Sequence, residues 1–93
     1  MDGIELFPSL SHCIETAARE EFWNSVNQYM EGGQEDKKLE GRIELLKAFL
    51  ESMDFKKLRS QSERYLVEGK QVKFVISWKA NRLDCQMTVI EDV

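Results

Sequence analysis

The sequence predicts an α+β domain: three helices packed on one face of a C-terminal antiparallel β-hairpin, with a short N-terminal segment as candidate third strand. Three observations predict it. Residues 35–53 repeat apolar side chains at helical spacing, residues 72–90 alternate apolar and polar side chains, and "GIELF" at residues 3–7 repeats that alternation in miniature before Pro8 breaks it. With 93 residues, 42% hydrophobic and 32% charged, one Pro and five Gly, the chain suits a single folded domain spanning residues 1–93.

In "GIELF", Ile4 and Leu6 fall on one side and Glu5 and Phe7 on the other. From Ser9 or Ser11 a first helix is expected to run to about Met30, where "EGG" supplies a stop. Its apolar stripe is not straight. Leu10, Cys13, Ile14, Ala17 and Ala18 form one arc, and Phe22, Val26, Tyr29 and Met30 drift to another, so a bend or a division into two pieces is expected.

The second helix, Glu35 to Met53, has the strongest pattern: Leu39, Ile43, Leu46, Leu50 and Met53 form a seam that Leu45 and Phe49 widen. Gly41 in its interior costs about 1 kcal/mol relative to alanine, and the expected reason is a neighbouring backbone passing close by. Arg42 projects within the apolar arc and calls for a carboxylate or carbonyl partner. Asp54 is placed to cap a third helix carrying Phe55, Leu58 and Leu66, which Gly69 ends. The interior of this helix, "KKLRSQSER", is strongly polar.

The hairpin can be tested by register. Pairing Lys79 with Arg82 sets Trp78 against Leu83, Ile76 against Cys85, Phe74 against Met87 and Val72 against Val89, so one face is wholly apolar. The other face holds Lys73, Ser77, Lys79, Asp84, Gln86 and Thr88, with Val75 and Ile90 as exceptions. Two strands alone barely hold together in water, so the helices must cover the apolar face. Edges remain. The first strand is guarded by Lys73 and Lys79, whereas the second offers only Asp84 before "CQMTVI". Either "GIELF" or the same strand of a second chain is expected to cover that second edge. The candidate interface is Val75, Asp84, Gln86, Thr88 and Ile90.

Charge is unevenly spread. Residues 1–54 carry twelve acidic and five basic side chains, −7, and residues 55–83 carry eight basic against two acidic, +6. Lys56, Lys57, Arg59, Arg64, Lys70 and Lys73, with Tyr65 and Trp78 nearby, form a candidate basic binding surface for nucleic acid or another polyanion.

Catalytic patterns are weak. His12, Cys13 and Glu15 offer too few ligands to close a metal shell. Cys13 and Cys85 fall on apolar faces, where buried thiols are expected, and the single histidine is a poor base for either. Glu20 with Glu21 and Glu35 with Asp36 adjoin solvated faces, and Gly32 and Gly33 mark a turn without a phosphate-loop lysine. No cofactor or metal is expected. No stretch approaches the ~18 apolar residues of a membrane helix, and no basic-plus-apolar leader opens the chain, so no membrane partner and a cytoplasmic location are expected. The expected function is a small non-enzymatic protein–protein interaction module that associates with itself or another protein. Nucleic-acid or polyanion binding through the basic third helix and hairpin is the alternative.

Overall fold

The structure is a computed structural model and describes residues 3–10 and 12–90. The chain runs β1 (Ile4–Leu6), α1 (Ile14–Gln28), a π-helical turn (Tyr29–Gly33), α2 (Lys37–Ser52), α3 (Phe55–Val67), β2 (Gln71–Lys79) and β3 (Arg82–Ile90). The class is α+β, with the three helices and a three-stranded antiparallel sheet ordered β1-β2-β3. Every inner hairpin pair read from the alternation is present: Trp78↔Leu83, Ile76↔Cys85, Phe74↔Met87 and Val72↔Val89. The two-residue turn holds Ala80 and Asn81 at φ of 50° and 64°, the left-handed pair whose twist matches that of the strands.

"GIELF" does supply a strand, but its position corrects one expectation. Ile4, Glu5 and Leu6 pair with Ile76, Val75 and Phe74, so β1 covers the edge of β2 and not that of β3. Gly3 lets the chain come this close, because a Cβ there would stand 2.9 Å from the Ile76 carbonyl oxygen.

The first helix starts later than either serine predicts. Ser11 lies outside the described residues, and Ser9 is spent in a tight turn in which its carbonyl accepts from the His12 N–H at 3.0 Å. Cys13 is the N-cap residue. The helix is continuous to Gln28 and is followed by the Tyr29–Gly33 turn, where Gly32 breaks helical geometry in a kink with a φ of 135° that favours glycine. Leu10 and Met30, placed on its apolar arcs by spacing, are exposed, while Ser25 is buried and donates to the Glu21 carbonyl at 2.8 Å.

Asp36 caps α2, its carboxylate accepting from the Lys38 and Leu39 N–H groups at 3.0 and 3.2 Å. Asp54 caps α3 by accepting from the Lys57 N–H at 3.2 Å, and Gly69 follows its end at a φ of 82°. Leu39, Leu45, Leu46 and Phe49 are the buried stripe of α2, which packs on both α1 and the sheet. Phe49 meets Phe55 edge to face with centroids 5.3 Å apart, closing the corner between α2 and α3. Arg42 finds its carboxylate: Nη1 lies 3.3 Å from Glu21 Oε1 of α1, while the Tyr29 hydroxyl in the π-helical turn donates to Glu40 at 3.1 Å, so one polar bond ties α1 and a second ties the turn after it to α2. No backbone crowds Gly41, however. A Cβ there would meet no atom within 4 Å, so close packing does not explain this glycine.

The core lies between the helices and the sheet. Ile14, Ala18, Leu46, Phe49, Val72, Phe74 and Ile76 are all 0% exposed. They come from α1, α2 and β2.

Candidate functional site: the free edge of the sheet

The turn fixes which backbone groups of β3 face outward. In a two-residue turn the Arg82 N–H bonds back to the Lys79 carbonyl, so Lys79 and Arg82 form a hydrogen-bonded pair. Such pairs alternate along an antiparallel ladder. Asp84, Gln86, Thr88 and Ile90 therefore point their N–H and C=O groups at β2. Leu83, Cys85, Met87 and Val89 point theirs away from the sheet. With β1 on the far side of β2, nothing among the described residues pairs with these outward groups.

The same four residues carry the inward-facing side chains of β3, and none is fully buried. Leu83, Cys85, Met87 and Val89 are intermediate in exposure, whereas Ile76, Phe74 and Val72, the β2 partners of the last three, are inaccessible; Trp78, opposite Leu83, is intermediate like it. The edge thus joins unpaired backbone to a half-covered apolar row. Burial pushes the Cys85 thiol up to about 11, with the Asp84 carboxylate adding to the effect. Cys85 is a neutral, apolar-like member of that row.

Beside the row lies a groove between α3 and β3, lined by Lys57, Gln61, Arg64, Tyr65 and Met87. Three of the six candidate basic residues are ion-paired. Arg59 lies 3.7 Å from Glu15, Lys70 3.4 Å from Glu68 and Lys73 3.6 Å from Glu5. Lys73 also stands on the sheet face opposite the helices. Lys56, Lys57 and Arg64 make no ion pair among the described residues, and Lys57 and Arg64 flank the groove.

The five candidate interface residues share the uncovered outer face of the sheet. Gln86 and Thr88 are exposed there, and Val75, Asp84 and Ile90 are half-buried. Val75 is bracketed by Glu5 on β1 and Gln86 on β3, and Asp84 is held by Lys79 at 3.6 Å. Their side chains define a face. The edge itself belongs to the odd-numbered residues, which spacing arguments about side chains passed over, although the parity was implicit in "KANR" as a two-residue turn.

Cys13, expected to be buried, is only partly so. Burial pushes its thiol up, but hydrogen bonding to the Thr16 hydroxyl at 3.3 Å and to the Thr16 and Glu15 N–H groups, with the nearby Arg59 charge, outweighs this and lowers it. Both cysteines are free. His12 Nε2 lies 3.5 Å from Glu20 and Nδ1 3.2 Å from the Ser9 hydroxyl. Among the described residues no three of His, Cys, Asp and Glu converge as a metal site would require, and no helix is long and apolar enough to cross a membrane.

No curated protein and no solved structure matches the chain. A protein-family model matches residues 4–91, from the first residue of β1 to just past the end of β3, and the chain belongs to that family.

Proposed function

We propose that the protein is a small non-enzymatic protein–protein interaction module that self-associates through the free edge of β3. The observation that carries this reading is the sheet order: β1 covers β2, and the nine residues of β3 keep an open edge above a half-covered apolar row. Strand addition at such an edge satisfies backbone groups and covers side chains together.

A twofold axis at Gln86 gives a register consistent with this chemistry. Leu83 stands opposite Val89 of the second copy, and Cys85 opposite its Met87, so outward backbone groups meet outward backbone groups and every inner pair is apolar. On the outer face Asp84 meets Thr88 and Arg82 meets Ile90, with no like charges opposed. The product is a six-stranded sheet. Light scattering at micromolar concentration should give about twice the 10.9 kDa chain mass, falling towards the monomer on dilution. A monomer at every concentration sinks the reading. The reading places the protein in the cytoplasm, where Cys13 and Cys85 stay reduced.

Polyanion binding is the second reading, supported by Lys56, Lys57 and Arg64, which make no ion pair among the described residues, with Lys57 and Arg64 lining the groove beside Tyr65. Titration of labelled oligonucleotides at low salt tests it. Binding that falls steeply with added salt and disappears on charge reversal at Lys57 and Arg64 favours it over self-association.

A further inference from the structure

The acidic half of the chain contains a cleft that its net charge conceals. Of the five basic residues in residues 1–54, three (Lys37, Lys38 and Arg42) line one depression of about 560 Å³ between the start of α2, the start of β1 and the end of α1. Ile4 and Leu39 form its apolar wall over the almost wholly buried Leu45, Gly41 lies among them, and Asp36 is also part of the lining. Residues 38, 41, 42 and 45 recur at spacings of three, one and three, so they share one helical face directed at the cleft.

Gly41 is the informative member. It sits in a helix interior at ordinary helical geometry, and a Cβ there would meet nothing within 4 Å. The chain's own packing therefore does not require glycine, and the absent side chain keeps the cleft wide. The helix N-terminus is not what a ligand would meet, because the Asp36 carboxylate already holds the Lys38 and Leu39 N–H groups. The cations remain. Lys37 and Lys38 make no ion pair among the described residues. Arg42 is steadied by one bond to Glu21 at 3.3 Å and keeps further N–H donors.

We propose that this cleft binds a small amphipathic carboxylate, with its aliphatic chain over Gly41 against Ile4, Leu39 and Leu45 and its carboxylate between Lys38 and Arg42. The volume is that of a small-molecule site, and an apolar wall with a few converging polar groups is the usual composition of one. A carboxylate matches both the planar guanidinium and the ammonium. This site is separate from the β3 edge and stands or falls independently of it.

Titration of the full chain with octanoate, 1-octanol and acetate, followed by amide NMR shifts, tests the inference. Octanoate should saturate with shifts centred on Ile4, Leu39 and Gly41 and raise the melting temperature. Octanol should bind about tenfold more weakly, the ratio expected for one lost charge-assisted hydrogen bond, and acetate should not saturate. Gly41→Leu should fill the cleft and abolish octanoate binding with the helical circular dichroism retained. Lys38→Glu, on an exposed side chain, should weaken binding by about tenfold or more even if the leucine variant fails to fold. Absence of saturable shifts at Gly41, octanol binding as tightly as octanoate, or unchanged binding by Lys38→Glu would each overturn the proposal.

Discussion

β2 and β3 belong to one hairpin, have nine residues each and alternate apolar and polar side chains in matched register, yet they live in different surroundings. β2 is paired on both sides over Phe74–Ile76 and sends Val72, Phe74 and Ile76 into the dry core. β3 is paired on one side, and its inner row is only partly covered. The cause is β1. Three residues of added strand convert β2 into a central strand and leave β3 as the edge, so burial and availability for binding are divided between two strands of similar pattern. Core strength and interaction capacity can then be changed separately.

The largest effect should come from opposing truncations on the two strands. Phe74→Ala opens a cavity in the packed core and should cost about 3–5 kcal/mol in urea denaturation, enough to unfold a marginal domain. Met87→Ala, its cross-strand partner, should cost about 1–2 kcal/mol because its site is already partly open. Equal losses would erase the distinction between the strands. Ser77→Lys, on the outer face, should stay within about 0.5 kcal/mol.

Proline separates ladder from edge. Gln86→Pro removes an N–H that bonds to β2 and should lower stability by roughly 3 kcal/mol. Cys85→Pro removes an outward N–H, so it should spare the ladder bonds to β2 and weaken association more than folding, read by light scattering and urea melts together. A reversed pattern would mean that the hydrogen-bonding parity is the opposite of that assigned here.

The two thiols offer a smaller contrast between α1 and β3. Cys13, whose thiol is lowered, should react with an alkylating probe near neutral pH well before Cys85, which burial holds protonated. The sign for stability follows from Cys85. Its folded pKa is raised from 9.0 to about 11, so its contribution is complete below 9 and is lost as pH rises through about 11. Alkaline melts should show that decline, and Cys85→Ser should reduce it.

Much of this arrangement was legible in the residues. Lys79 and Arg82 around a two-residue turn dictate the whole hairpin register, and Asp54 and Gly69 bracket α3 as capping chemistry requires. The partner of β1 was not legible, because Ile4 and Leu6 would face the core equally well on either edge of the hairpin. The start of α1 was hidden too. A serine that can cap a helix can equally close a turn, and Ser9 does so. Gly41 shows a third limit: spacing reveals a glycine in a helix, but only the surroundings reveal whether it meets a backbone or an open cleft. Edge availability is likewise a property of backbone parity, which side-chain patterns carry only through the turn.

That turn gives a small effect of the opposite sign. Asn81→Gly places the residue best suited to a φ of 64° at the second turn position and should stabilise the hairpin by about 0.5–1 kcal/mol. Thermal melts would register it without any change in association, since the edge is untouched.

Amide hydrogen exchange along β3 reads the free edge residue by residue. In dilute monomer, Asp84, Gln86, Thr88 and Ile90 should be protected while Leu83, Cys85, Met87 and Val89 exchange quickly. As concentration rises and copies pair, the second set should slow to match the first. Uniform protection at the lowest concentration, or an alternation that persists unchanged at the highest, would contradict the account.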